Sequence, residues 1–168
     1  MARREKSAKA LCASGAAYAT KGQYDRAIMD FDEAIRLNPR DGDIFYARGE
    51  AYRNKNDYNC AIADYSDAIR LNPKDAFAFF RRGFAWRHKG RHDWAITDFD
   101  EAIRLNPKEA LAFNERGNSY RAKGQLDRAI ADYDEAIRLD PNFTEAINRR
   151  AETIAKKKEL SGGTSGLT

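Results

Sequence analysis

His88 and His92 stand four residues apart, the interval at which two imidazoles on one helical face can share a zinc ion. Gly90 falls between them, in a Lys89-Gly90-Arg91 segment that interrupts the helical pattern, so the pair reads as polar turn residues. Cys12 and Cys60 are the only cysteines. Cys12 has no histidine at a fixed spacing to activate it, and two cysteines suggest neither a disulfide framework nor a metal cluster. The acidic residues are spread along the chain without converging, and no glycine-rich loop follows a strand pattern. Catalysis, metal binding and a cofactor are therefore not expected. What remains is recognition chemistry. Arg53, Arg87 and Arg121 recur at one interval, and arginine suits two-pronged binding of carboxylates. Phe77, Phe80 and Phe84 fall on one helical face.

The elements that hold these residues are repeats. Pro39, Pro73, Pro107 and Pro141 are 34 residues apart, preceded by AIRLNP three times and AIRLDP once. A period of this length means one supersecondary unit copied along the chain. The units run 8–41, 42–75, 76–109 and 110–143, with a basic extension at 1–7, a capping helix at 144–160 and a Gly/Ser-rich tail, expected to be flexible, at 161–168. Each unit carries two helical patterns. Gly22, Asn56, Gly90 and Gly124 sit where a helix end requires a left-handed residue, and Asn-Pro or Asp-Pro closes each second helix. Gly15, Gly49, Gly83 and Gly117 recur inside the first helices, where glycine costs about 1 kcal/mol relative to alanine. That repeated cost implies close approach of the paired helix, with Ala27, Ala61, Ala95 and Ala129 as the facing residues. Asp32/Arg36, Asp100/Arg104 and Asp134/Arg138 are spaced as i, i+4 pairs on an outer face.

The frame Phe79-x2-Arg82-Gly83-x2-Trp86, then Ala95, Phe99, Ala102 and Pro107, resembles the tetratricopeptide repeat, and it returns in the second and fourth units. The resemblance implies an all-α solenoid, a right-handed superhelix of antiparallel helix pairs with about nine helices. Arg48, Arg82 and Arg116 depart from the family, which usually carries leucine there. Each is expected to lay its stem on apolar surface and keep its head in water. The resemblance also implies a concave groove lined by first helices. Carried onto this sequence, its lining includes Tyr46, Glu50, Arg53, Phe77, Phe80, Phe84, Arg87, Leu111, Asn114, Asn118, Arg121 and Asn148. The groove would take a protein or peptide segment, with an apolar anchor on the phenylalanines, acidic groups on the arginines and its backbone held by the asparagines. Phe77 and Phe80 could instead tuck between units. The clamp with which family members hold a heat-shock chaperone tail fails here: its window reads Cys12, Ala16, Ala47, Phe77, Arg81, and only the last residue fits.

Charge narrows the partners. Residues 1–9 and 149–159 each carry a net +3, which leaves the 10–148 body at −2 of the chain's +4. A nucleic-acid binder would hold its basic stripe on the folded face, so this distribution argues against one. Self-assembly through the groove or an end helix remains an alternative, with RNA binding behind it. No apolar run approaches the length of a membrane span. A reducing, cytoplasmic setting is expected; export is the alternative, because basic residues precede an apolar stretch ending Ala17-Tyr18-Ala19.

Overall fold

The computed structural model describes residues 2–162. Among them it contains nine helices and no strand: α1 (Ala2–Thr20), α2 (Tyr24–Leu37), α3 (Gly42–Asn54), α4 (Tyr58–Leu71), α5 (Ala76–His88), α6 (His92–Leu105), α7 (Ala110–Ala122), α8 (Leu126–Leu139) and α9 (Thr144–Gly162). Helices α1 to α5 form one compact unit and α6 to α9 a second. Within the first, each helix packs on the next and α1 also meets α3; within the second, the same order holds and α7 also meets α9. The helix α1 begins at Ala2, so residues read as an extension continue the first repeat's helix. The expected tail is helical as far as Gly162, and the rest of it lies outside the described residues. None of the described helices is long and apolar enough to cross a membrane.

The turns follow from backbone chemistry. Gly22, Gly90 and Gly124 have φ of 72°, 70° and 74°, and Asn56 takes the same left-handed conformation at 60°. That residue lets the chain reverse while the N–H groups of Gln23, Asp57 and Gln125 return to the carbonyls of Tyr18, Tyr52 and Tyr120 at 2.9–3.0 Å. At the other end of each pair, proline pushes the preceding residue out of the helical region, and Asn38, Asn72, Asn106 and Asp140 stop their helices. Three helices open on an aspartate whose side chain accepts from the first turn: Asp41 for α3, Asp57 for α4 and Asp75 for α5.

The mid-helix glycines answer to aromatic rings. A Cβ on Gly15 would lie 2.8 Å from Phe31, one on Gly49 2.8 Å from Tyr65, and one on Gly117 2.8 Å from Tyr133. The facing residue is thus the ring four positions after the expected alanine, while Ala27, Ala61 and Ala129 are fully buried beside it.

The charges pair differently from the sequence expectation. Arg36, Arg104 and Arg138 bond to Glu33, Glu101 and Glu135 at i, i+3, not to the aspartates at i, i+4. Those aspartates are drawn to the next repeat: Asp32 meets Arg48 at 2.5 Å, Asp100 meets Arg116 at 2.7 Å, and Asp134 meets Arg150 at 2.5 Å. Arg48 also forks the buried Asp64, with Nε at 2.9 Å and Nη2 at 2.6 Å, and Arg116 does the same to Asp132. The heads of these two arginines are therefore clasped between second helices and not wet; their side chains are only 20% and 19% exposed. The third, Arg82, donates to Ser66 at 3.0 Å. Burial raises the carboxyls of Asp64 and Asp132, and the guanidinium fork opposes that rise. The arginine that departs from the family's leucine thus joins one repeat to the one before it.

Candidate functional site

The first helices place the expected binding residues at corresponding turns. In the first unit, α3 and α5 build a polar network around one carboxylate. Glu50 accepts from the Tyr65 hydroxyl at 2.5 Å and from Arg53 through Nε (3.2 Å) and Nη2 (2.9 Å). The Nε of Arg81, on α5, lies 3.3 Å from the same carboxylate and donates to the Tyr46 hydroxyl at 3.4 Å. One carboxylate thus faces two guanidinium groups, leaving an excess of positive charge. The Nε of Arg81 makes both contacts, its guanidinium also lies over the Phe80 ring at 5.7 Å, and its side chain keeps 31% exposure. In the sequence Arg81 stands out only as the last residue of the rejected chaperone-tail window. Its spacing of seven residues before His88 gave no sign of the reach to α3, which depends on how the two helices pack.

Three of the expected residues, Phe77, Phe84 and Arg87, share α5 with Arg81. Phe77, four residues before Arg81, is 59% exposed. Half-buried Phe84 lies 4.5 Å from the His88 ring, and Arg87 sits over it at 5.2 Å. His88 stacks on Tyr58 at 4.9 Å, and burial together with Arg87 and Arg53 lowers its pKa, which favours the neutral ring. The helix break does separate His88, the last residue of α5, from His92, the first of α6.

Phe80 is a correction: at 6% exposure it is a core residue and not a surface anchor. Tyr46, one repeat earlier at the same place, shows the physical reason. Its ring packs against Tyr65 and the Phe45–Ala68–Ala78 cluster, so this position faces neighbouring helices. Asn114 is corrected on the same ground, being fully buried, with neither amide atom hydrogen-bonded. It presents nothing to a partner's backbone.

In the second unit the same turns carry different chemistry. Asn118 accepts from the Tyr133 hydroxyl at 2.9 Å, and burial pushes that phenol up to about 12. Arg121 bonds to Glu152 of α9 at 3.1 Å, and Arg149 shares that carboxylate at 3.3 Å. Leu111 and Asn148 are exposed. The arginines at the recurring position are therefore not bare: Arg53 and Arg121 are already ion-paired, and Arg87 covers an aromatic face.

At the start of the chain, α1 and α3 enclose an open cavity of about 380 Å³ lined by Lys9, Cys12, Ala13, Ala16, Asp41, Asp43 and Ile44. Burial, Asp41 and Asp43 all raise the Cys12 thiol, the opposite of what a nucleophile needs.

Comparison with known proteins agrees with this geometry. Family models described as TPR repeat and tetratricopeptide repeat match residues 15–55, 46–110 and 110–143. Among solved structures, YrrB, described as a TPR protein with an unusual peptide-binding site, is 28% identical over 86% of this chain and 74% of its own, with a TM-score of 0.80. MamA from Desulfovibrio magneticus RS-1 is 21% identical over 95% and 90%, with a TM-score of 0.87. The first TPR of Spaghetti (RPAP3), bound to an HSP90 peptide, is 24% identical over 70% and 93%, with a TM-score of 0.68. None of the curated proteins matches. The helix pairs, the left-handed turns, the closing prolines and the successive family matches lead to one assignment: the chain belongs to the tetratricopeptide repeat family.

Proposed function

We propose that the chain is a non-enzymatic scaffold that binds a partner protein segment along α3 and α5. The observation that carries this reading is Arg81, held by Glu50 and Tyr46 through its Nε and seated over Phe80 while its side chain stays 31% exposed. An acidic residue of the partner pairs with Arg81, and an apolar neighbour rests on Phe77, one helical turn away. An exposed phenylalanine beside an oriented arginine is the composition of an interaction hot spot. The fold supports the reading, and so does YrrB, whose peptide-binding site belongs to a chain of the same family. Leu111, Asn118, Arg121 and Asn148, on α7 and α9, are a separate candidate surface of the second compact unit.

Glu50 sets the strength of the arginine site. It competes with an incoming carboxylate for Arg53 and Arg81, so binding exchanges one ion pair for another. The test is affinity capture with the full chain, followed by titration of the captured segment against Phe77→Ala and Arg81→Gln. A loss of about tenfold or more in each is expected from hot-spot truncations. Unchanged affinity in both would remove the assignment.

A further inference from the structure

Three of the second helices meet the first helix of the next repeat through the same two acidic positions. Asp25, Asp93 and Asp127 accept from Lys55, Lys123 and Lys157, thirty residues on. Asp32, Asp100 and Asp134 pair with Arg48, Arg116 and Arg150, sixteen residues on, at 2.5, 2.7 and 2.5 Å. The α4–α5 junction departs from this at both positions at once. Asn59 replaces the first aspartate and accepts from Lys89, and Ser66 replaces the second and accepts from Arg82 at 3.0 Å. Both cations are kept, and the α4 residue that each one meets is neutral.

The apolar contacts do not compensate. Ala85 joins Ala61, Ile62 and Tyr65 just as Ala51 joins Ala27, Ile28 and Phe31, but Ala78 stands where α3 carries the larger Ile44. In a stack of repeats each junction contributes its own share of stability, so a deficit at one junction stays local. Two exposed ion pairs of ordinary strength amount to about a fivefold change in how often a junction opens.

We infer that the α4–α5 junction is a yielding joint, set by Asn59 and Ser66, at which α5 parts from α4 more readily than α3 parts from α2. Phe77 and Arg81 lie on α5, and Tyr46 and Glu50 on α3, so the joint lets the two sides of the binding surface shift to admit a segment. That use rests on the α3–α5 reading of function. The joint itself does not, and its test needs no partner.

The experiment is hydrogen exchange of the full chain, followed by NMR at single amides. A helix of 13 residues loses its protection once its neighbour leaves, so exchange in α5 reports the opening. Asn59→Asp/Ser66→Asp, which restores both acids, is expected to slow exchange in α5 about fivefold at low salt and to leave α9 unchanged. The slowing is expected to vanish at about 1 M salt, where exposed pairs are screened. Asp25→Asn/Asp32→Ser, the reverse change, is expected to speed exchange in α3 about fivefold. Unchanged or faster exchange in the restored variant, a slowing that persists at high salt or is equal in α9, or an unaffected α3 in the reverse variant would each overturn the inference.

Discussion

The α3–α4 pair and the α7–α8 pair, 68 residues apart, are built on one plan and present different chemistry. Both rest a tyrosine ring on a glycine and fork a buried aspartate with an arginine. In both, the tyrosine hydroxyl reaches the same turn of the first helix, where it meets Glu50 in one and Asn118 in the other. That difference goes with another on the following helix, where Phe84 in one stands for Glu152 in the other. Glu50 gathers Arg53 and Arg81; with Asn118 in that place, Arg121 turns to Glu152. Burial and the Glu50 charge together push Tyr65 up, whereas Tyr133 is raised to about 12 by burial without a carboxylate at its hydroxyl. The lesson is a division of labour. Residues repeated between pairs hold the stack, and the unrepeated ones set the charges that the first helices carry.

The shared half of the comparison breaks first. Arg48→Met or Arg116→Met strands a buried aspartate, and each is expected to lose about 3 kcal/mol of unfolding free energy in urea. Equal losses sharpen the comparison, and a loss confined to one pair breaks it. Gly49→Ala and Gly117→Ala place a methyl 2.8 Å from a tyrosine ring. The helix propensity gained is about 1 kcal/mol, and overpacking is expected to outweigh it, giving a net loss of about 1–2 kcal/mol in the same assay.

The unshared half gives smaller effects. Asn114 is buried with both amide atoms unbonded, while its counterpart Tyr46 has Arg81 as a donor. Asn114→Leu is expected to raise stability by about 1 kcal/mol by removing unsatisfied polar atoms, and destabilisation would show that the amide has a structural partner.

The smallest effect concerns a helix cap. Bonds from the Cys60 backbone lower the Asp57 pKa, so its stabilisation is present above the ordinary aspartate value and is lost as pH falls through the folded value. Asp57→Ala is expected to cost about 0.5 kcal/mol at pH 6. Its stability curve should converge on the wild type in acid, and parallel curves down to pH 2 would contradict the cap.

The fold was legible because its signals are local. The proline interval, the left-handed residues and the i, i+3, i+4 stripes each act within one or two turns of chain. The ion pairs were not, because Arg36 has Asp32 at i−4 and Glu33 at i−3, and only packing shows that Asp32 is claimed by Arg48. Phe80 and Phe77 likewise differ by three positions on one helix, yet one is buried and the other exposed. Which side of a stripe faces a neighbouring helix is set by that neighbour, and no property of the stripe encodes it. The reach of Arg81 to Glu50 and Tyr46 is hidden from the sequence for the same reason.

The central claim is that Glu50 restrains the arginines of a carboxylate-binding surface on α3 and α5. The most direct measurement is the affinity of one captured acidic segment for the wild type, Arg81→Gln and Glu50→Gln. The account predicts weaker binding for Arg81→Gln and tighter binding for Glu50→Gln, each by about tenfold, the size of one charge-assisted contact. Unchanged binding by Arg81→Gln, or weaker binding by Glu50→Gln, would contradict it.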